Sequence, residues 1–178
     1  MTTEAAPRVE IVLPPLHKSQ LVIAKDPHRF KVVACGRKWG KSLLDATVLT
    51  KYAPEDPGLY MHIAPVYRQT QEAWEYIEKI VGQWPRSVVR QVIHSAGSEQ
   101  VFFTTGGVIE MRTGDLPANL RGPKLKGAVM DEAAFQKRET WETVVRPALA
   151  VDQGWALFSS TPNHFNWFYD LFELGQEP

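Results

Sequence analysis

The sequence lacks several features that mark other classes of protein. Cys35 is its single cysteine, so no internal disulfide can form, and we expect an intracellular protein. Basic and acidic residues number 20 each, so bulk charge does not indicate a nucleic-acid partner, and any basic surface must be local. No apolar run approaches the ~20 residues that a membrane-spanning helix needs. Residues 1–15 also lack the basic and apolar regions of a secretion signal.

The 178 residues do contain short apolar runs that alternate with helical patterns. Residues 1–18 are proline-rich and are predicted to be extended. Strands are predicted at residues 30–35, 59–64, 88–93, 100–103, 108–112, 127–130 and 155–160, and helices at 42–53, 67–81, 138–145 and 166–174. The alternation predicts one α/β domain in which helices sandwich a mainly parallel central sheet. Gly106–Gly107 predicts a hairpin turn within an antiparallel elaboration at residues 88–112.

The first candidate site is the glycine-rich loop between the first predicted strand and the first predicted helix. It reads Gly36-Arg37-Lys38-Trp39-Gly40-Lys41-Ser42. Such a loop binds phosphate because glycines let backbone N–H groups turn inward, lysine reaches the β- and γ-phosphates, and a hydroxyl holds Mg²⁺. The strict pattern has glycine where Cys35 stands. The strand–loop–helix setting nevertheless favours a nucleotide site over a chance surface turn.

Two carboxylates follow the predicted strand at residues 127–130. Asp131, at the tip of a buried strand, can hold Mg²⁺ directly or through water, and Glu132 can polarise an attacking water. The alternative is a strand end that is capped by solvated acids. The position of the pair after the glycine-rich loop favours a second nucleotide motif.

Two further loops carry polar groups for which the sequence leaves two interpretations open. Ser159-Ser160-Thr161-Pro162-Asn163 follows the last predicted strand, where a hydroxyl and an amide could sense the γ-phosphate. It is otherwise an ordinary polar turn. Asn119-Leu120-Arg121-Gly122 precedes the acidic strand, where Arg121 either stabilises phosphoryl-transfer charge or is solvated.

In this order, these motifs resemble the ATPase domain of the large terminase subunit of tailed bacteriophages. The segments GRKWGKS, VMDEAA and SSTPN carry the resemblance, with NLRG ahead of the acidic strand, and it spans residues 17–174. It implies a P-loop NTPase of the additional-strand, catalytic-glutamate type. The implied reaction is hydrolysis of ATP with Mg²⁺, which powers movement of double-stranded DNA into a procapsid.

The resemblance assigns nucleotide-binding roles to the loop and to one residue ahead of it. Gln20 matches the family's adenine-reading glutamine, and Lys41 matches its phosphate-binding lysine. Arg37 matches an arginine that such terminases often place inside the loop, and it is implied to act in catalysis. The other implied nucleotide contacts are Gly36, Lys38, Trp39, Gly40 and Ser42.

Metal-binding, catalytic and coupling roles are implied in the same way. Ser42 and Asp131 match the Mg²⁺ ligands, and Glu132 matches the catalytic carboxylate. Arg121 matches an arginine finger that acts on a neighbouring subunit in some members. The residues implied to couple hydrolysis to movement are Ser160, Thr161, Pro162 and Asn163.

The implied partners are double-stranded DNA, a portal protein, a small terminase subunit and further copies of the chain, with no membrane. The copies would form a pentameric ring when assembled and a monomer in dilute solution. The implied location is the cytoplasm of the infected bacterium and, transiently, the portal vertex of the procapsid.

Large terminases also carry a C-terminal nuclease with a ribonuclease-H-like fold. This sequence stops at Pro178, before such a domain could begin. We therefore expect residues 1–178 to form an isolated ATPase core, with residues 1–29 as its N-terminal segment, and we expect no nuclease activity.

Two other functions remain open at the level of sequence. One is a helicase-like ATPase that nucleic acid stimulates, although the chain has no room for a second motor domain. The other is a nucleotide-binding module that assembles a ring and hydrolyses little ATP by itself.

Overall fold

Seven strands form one sheet in the computed structural model of the protein, which describes residues 11–95 and 97–176. They are β1 (Phe30–Ala34), β2 (Gly58–Ala64), β3 (Val89–Ile93), β4 (Gln100–Phe103), β5 (Gly107–Thr113), β6 (Gly127–Asp131) and β7 (Trp155–Ser160). Their order across the sheet is β1-β7-β6-β2-β5-β4-β3. The first five strands in that order pair in parallel, and β4 and β3 add antiparallel pairs at one edge.

Five α-helices accompany the sheet in the described residues. They are α1 (Lys18–Lys25), α2 (Lys41–Tyr52), α3 (Tyr67–Val81), α4 (Arg146–Ala150) and α5 (Trp167–Leu174). A π-helical segment, Thr140–Val145, runs directly into α4, and short 3₁₀ helices lie at Pro117–Leu120 and Ala133–Phe135. None of the helices within residues 11–95 and 97–176 has the length and apolar character to cross a membrane.

Each face of the sheet has its own apolar core, because successive strand residues point to opposite faces. Val129 and Leu157 pack beneath the apolar sides of α2 and α3. Met130 and Phe158, one residue further along the same strands, pack on the other face with side chains of the π-helical segment, α4 and α5. Since helices cover both faces, the central strands are almost continuously apolar.

Most of the predicted elements are confirmed with small shifts of their ends. The helix predicted at residues 67–81 is α3, and its buried side includes Ala73, Trp74 and Ile77. The predicted α/β fold with a mainly parallel sheet is also confirmed. The hairpin turn lies between β4 and β5, with Gly106 in a left-handed conformation (φ 98°).

The predicted antiparallel pairing within residues 88–112 is confirmed, and β5 has a second, parallel partner that was not predicted. Gly107–Thr113 pairs in parallel with Gly58–Ala64 along its whole length, so β5 belongs to the parallel sheet. The hairpin pattern indicates the β4–β5 pair, but nothing local indicates that β2 lies on the other side. The elaboration therefore consists of β3 and β4.

Helical structure near both ends also differs from the prediction. Residues 1–10 lie outside the described part of the chain, residues 11–17 contain no helix or strand, and the unpredicted α1 begins at Lys18. The helix predicted at residues 138–145 begins at Arg138 as predicted, becomes π-helical at Thr140–Val145 and continues through α4 to Ala150. Pro147 lies where the π-helical segment passes into α4 and does not end the helix.

A close approach between α2 and β5 gives a test of this packing. An ideal Cβ on Gly107 would lie 1.7 Å from the carbonyl oxygen of Ala53, at the end of α2. We expect Gly107→Ala to lower the free energy of unfolding by about 1–3 kcal/mol, because the backbone must move to relieve the overlap. The measurement is urea denaturation followed by tryptophan fluorescence.

Gly175→Ala is the matched control, because a Cβ there meets its nearest neighbour at an ordinary 3.5 Å. We expect it to change stability by no more than about 0.5 kcal/mol. Equal stability of the two variants would show that α2 and β5 do not approach as closely as described.

Candidate functional site

The glycine-rich loop leaves β1 and turns sharply before α2. The N–H of Cys35 donates to the carbonyl of Ser160 at 3.1 Å, so the loop begins as a continuation of the β1–β7 pairing. Lys38 (φ 62°) and Gly40 (φ 95°) both have left-handed backbones. Gly40 accepts this conformation readily because it has no Cβ. The turn therefore sets the start of α2 at the carboxyl edge of the sheet.

Gln20, on α1, is hydrogen-bonded to this loop. The Gln20 Nε2 donates to the Gly40 carbonyl at 2.9 Å, and its Oε1 accepts from the His17 N–H at 3.0 Å. The His17 ring packs edge-on against Trp39, with 4.8 Å between ring centroids. Gln20 is 2% exposed, and both ends of its amide are bonded within the protein. The structure thus places Gln20 in contact with the backbone of the loop.

Lys41 connects the loop to the two other predicted motifs. Its Nζ lies 3.2 Å from Glu132 Oε1 and donates to Thr161 Oγ1 at 3.2 Å. The Thr161 N–H in turn donates to Glu132 Oε2 at 3.2 Å. Three residues from separate motifs therefore form one closed set of contacts. The pairing matters because Lys41 is largely buried, and a buried cation without a partner is costly.

Glu132 reaches this set from an uncommon backbone conformation. Directly after β6 it has φ 47° and ψ 45°, a left-handed conformation that costs a residue with a Cβ about 1–2 kcal/mol. The Ser160 hydroxyl lies 3.2 Å from Glu132 Oε2 and accepts from the Ala134 N–H at 3.2 Å. These contacts hold the carboxylate beside Lys41.

Asp131 lies at the tip of β6 and is almost fully buried. Its Oδ1 accepts from the Glu132 N–H at 2.8 Å and lies 3.4 Å from the Ser159 hydroxyl. Burial, and then the negative charge of Glu132, raise the pKa of Asp131 to about 7. A cation bound at this carboxylate would favour its ionised form.

A cavity of about 720 Å³ opens in front of these groups, a size typical of sites for small molecules. The loop and the acidic pair contribute Arg37, Lys38, Gly40, Lys41, Ser42, Leu43, Asp131 and Glu132 to its lining. The remaining lining residues come from α3 and are Gln69, Glu72, Glu75, Tyr76 and Lys79. The Ser42 hydroxyl donates to Glu72 Oε2 at 3.5 Å, which links the two parts.

The contribution of α3 was not anticipated from the sequence, although a signal was present. Residues 69, 72, 76 and 79 recur at the helical spacing of three and four, away from the buried stripe that contains Trp74. A polar stripe on an amphipathic helix usually faces solvent, so spacing by itself did not indicate a cavity.

Several predicted residues lie outside the lining of the cavity. Gly36 and Trp39 belong to the loop but do not line it. Arg121 is exposed, directly after the 3₁₀ helix Pro117–Leu120, and it does not line the cavity of its own chain either. The structure therefore brings together the loop, the acidic pair and Thr161, but not Arg121.

The segment after β7 is fixed to the turn that follows Glu132. Asn166 Nδ2 donates to the carbonyls of Asn163, at 2.8 Å, and Ala134, at 2.9 Å. Pro162 is exposed between these tethers. Residues 160–163 thus contact the acidic motif at Thr161 and again through Asn166.

Comparison with known proteins places this arrangement among viral large terminases. The large terminase subunit of Thermus virus P23-45 is 30% identical to this chain over 180 residues, which covers 89% of this chain and 36% of that relative. The solved ATPase domain of the large terminase of Thermus phage P74-26 is 27% identical, with a TM-score of 0.74, and the match covers 89% of this chain and 69% of that one.

A second solved structure shows the same fold at lower identity. The large terminase of another thermophilic bacteriophage, in complex with ATP-gamma-S, is 16% identical with a TM-score of 0.69, over 91% of this chain and 43% of that one. In sequence, the chain spans about a third of the length of the large terminase subunit from Thermus virus P23-45.

The family itself is identified by a match over most of the chain. Residues 33–174 match the family described as "Terminase large subunit, T4likevirus-type, N-terminal". This range contains the glycine-rich loop, the acidic pair, α3 and residues 160–163. The chain belongs to the large terminase subunit family, and its matched residues correspond to the N-terminal part of that family.

Proposed function

We propose that this chain binds ATP in the 720 Å³ cavity and hydrolyses it to ADP and phosphate. The observation that carries the proposal is the contact of Lys41 with both Glu132 and Thr161. A phosphate-binding lysine, a carboxylate able to polarise water and a hydroxyl at a neighbouring strand end occupy one small volume. The membership of the chain in the terminase family supports the same reaction.

The residues at the cavity fit a Mg²⁺ ion. Ser42 and Asp131 both line it and supply the oxygen ligands that Mg²⁺ prefers. When bound with ATP, Mg²⁺ neutralises charge on the β- and γ-phosphates. Lys41 binds the same phosphates from the loop, and Glu132 orients a water for in-line attack on the γ-phosphorus, which releases ADP.

The contacts of Lys41 also suggest how hydrolysis is sensed. A γ-phosphate carries more negative charge than Glu132, so it competes for Lys41 and frees the carboxylate to act on water. Thr161 then loses its hydrogen bond from Lys41, while its N–H still donates to Glu132. Binding of the γ-phosphate would therefore change the contacts of Thr161. We propose that residues 160–163, which include Thr161, couple hydrolysis to movement.

In the complete large terminase, we propose that this hydrolysis drives double-stranded DNA into a procapsid. The partners would be DNA, a portal protein, a small terminase subunit and neighbouring copies in a ring, in the host cytoplasm and at the portal vertex. In such a ring, the exposed Arg121 would be available to the cavity of a neighbouring copy.

Replacement of the carboxylate next to Lys41 tests the catalytic assignment. We expect Glu132→Gln to retain ATP binding and to lower turnover by about 10²–10⁴-fold, because an amide cannot accept a proton from water. The measurement is steady-state hydrolysis over a wide range of protein concentration, with nucleotide binding followed separately. Glu75→Gln is the matched control, because Glu75 lines the same cavity without a contact to Lys41.

Equal turnover in wild type and Glu132→Gln, with ATP still bound, would contradict catalysis by Glu132. If that shared turnover is also independent of protein concentration and near background, a nucleotide-binding assembly module is the better description.

Arginine replacement tests whether a neighbouring copy completes the site. We expect Arg121→Ala to bind ATP normally and to lose about 10³-fold in turnover at high protein concentration. Mixing Arg121→Ala with Glu132→Gln should restore activity, since an intact Glu132 then receives Arg121 from its neighbour. Arg86→Ala, another exposed arginine, is the control. Failure of the mixture to recover would indicate that Arg121 acts within its own chain.

Substitution of Gln20 separates its two possible roles. Because its amide holds the Gly40 carbonyl, we expect Gln20→Ala to weaken ATP and GTP binding by the same factor. Competition binding with the two nucleotides measures that ratio. A larger loss for ATP than for GTP would instead support the adenine-reading role that the family resemblance implies.

A further inference from the structure

Three buried polar atoms, on α2 and on β2, have no hydrogen-bond partner. They are Oδ1 of Asp45 and both ring nitrogens of His62. Both side chains are 0% exposed. Nearly all buried polar groups in folded proteins are paired, so unpaired atoms on two neighbouring buried side chains need an explanation, and a bound ion is one.

These atoms converge with a third side chain on one point. Asp45 lies on α2, one turn after Lys41, His62 lies on β2, and Asp131 ends β6. Each offers one ligand atom, and the three atoms lie within 4.8 Å of one another. His62 Nε2 is 3.9 Å from Asp131 Oδ2, which is too long for a hydrogen bond. Tetrahedral coordination with metal–ligand bonds of roughly 2.0–2.2 Å sets ligand atoms about 3.5 Å apart, so the side chains would close in by about 1 Å.

Existing hydrogen bonds leave the converging atoms available. The Ser159 hydroxyl donates to Asp45 Oδ2 at 2.8 Å, so Oδ1 is the unused oxygen of that carboxylate. Asp131 uses its Oδ1 for the Glu132 N–H and turns Oδ2 toward His62. The surrounding structure thus orients each carboxylate through its other oxygen, as it does for metal ligands.

The electrostatics of the cluster favour a cation. Asp45 and Asp131 are both buried, and the Ser159 hydroxyl contacts one carboxylate oxygen of each. Both ring nitrogens of His62 lack a hydrogen-bond partner, so one of them is available to donate its lone pair to a metal. Two adjacent buried carboxylates need positive charge, and protons or a metal ion can supply it.

We propose that Asp45, His62 and Asp131 bind a divalent transition-metal ion in the protein core, and that Asp131 is shared with the Mg²⁺ that ATP brings to Ser42. One imidazole nitrogen with two carboxylate oxygens suits Mn²⁺, Co²⁺ or Zn²⁺ better than Mg²⁺ or Ca²⁺, which take oxygen ligands. The ion ties α2, β2 and β6 together behind the glycine-rich loop. Its binding requires neither nucleotide nor hydrolysis.

Co²⁺ is the probe, because its visible absorption reports the number and type of its ligands. Chelator-treated, nucleotide-free protein is dialysed to equilibrium against Co²⁺. A second sample is refolded from denaturant with Co²⁺ present, so that slow access to a buried site does not hide binding. We expect one Co²⁺ per chain, with an absorption spectrum that indicates nitrogen and oxygen ligands.

Matched variants assign the bound ion to the cluster. We expect His62→Leu and Asp45→Asn each to weaken Co²⁺ binding by about tenfold or more. Ser42→Ala, which removes a ligand of the proposed Mg²⁺ site, and His94→Gln, which removes an exposed histidine, should bind as wild type does. Circular dichroism checks folding, and His62→Gln carries the test if His62→Leu does not fold.

Three results would overturn the inference. The first is an absence of Co²⁺ binding in both the dialysed and the refolded samples. The second is binding that survives His62→Leu and Asp45→Asn. The third is binding that is lost in Ser42→Ala or His94→Gln, which would place the ion in the nucleotide cavity or on the surface. A lack of ATP hydrolysis would refute the proposed function and leave this inference untouched.

Discussion

The register among β1, β7 and β6 is the constraint on which the rest of the site depends. In this register Ala34 lies opposite Ser160, and Asp131 lies opposite Ser159. Because the three strands are parallel, the segments that follow them leave from one edge of the sheet. Motifs that are about a hundred residues apart in the sequence therefore come within hydrogen-bond distance. A shift of β7 by one residue would reverse its side chains and remove Ser160 from Glu132.

Charged side chains at this edge of the sheet form an outer pair beside the cavity and an inner, buried pair. In the outer pair Lys41 and Glu132 neutralise each other beside the cavity, where both remain able to exchange partners. In the inner pair Asp131 and Asp45 are buried beneath Lys41, and burial raises the pKa of each. The two inner carboxylates meet at Ser159, whose hydroxyl contacts both, and Asp131 is linked to the outer pair by the Glu132 N–H. A ligand that binds in the cavity and contacts Lys41 or Glu132 therefore lies next to two buried carboxylates.

Two helices, α1 and α3, also contribute to the cavity. Gln20, on α1, holds the loop through the Gly40 carbonyl, and the polar side of α3 supplies Glu72 and its neighbours to the lining. Neither contribution follows from local pattern. A capped helix of eight residues has a weak periodic signal, and a polar stripe is the same whether it faces solvent or a cavity.

The sequence by itself determined the alternation of strands and helices, the glycine-rich loop between a strand and a helix, and the acidic residues at a strand tip. These features depend on spacing and residue type within short windows. It also carried the ordered motifs by which the chain resembles the terminases. Only the tertiary structure decided that β5 pairs with β2, that Thr161 meets Lys41, that Arg121 lies away from its own cavity, and that Asp45 and His62 meet Asp131. Those contacts join residues far apart in the chain, and they form only when the sheet fixes its strand order and helices cover both faces.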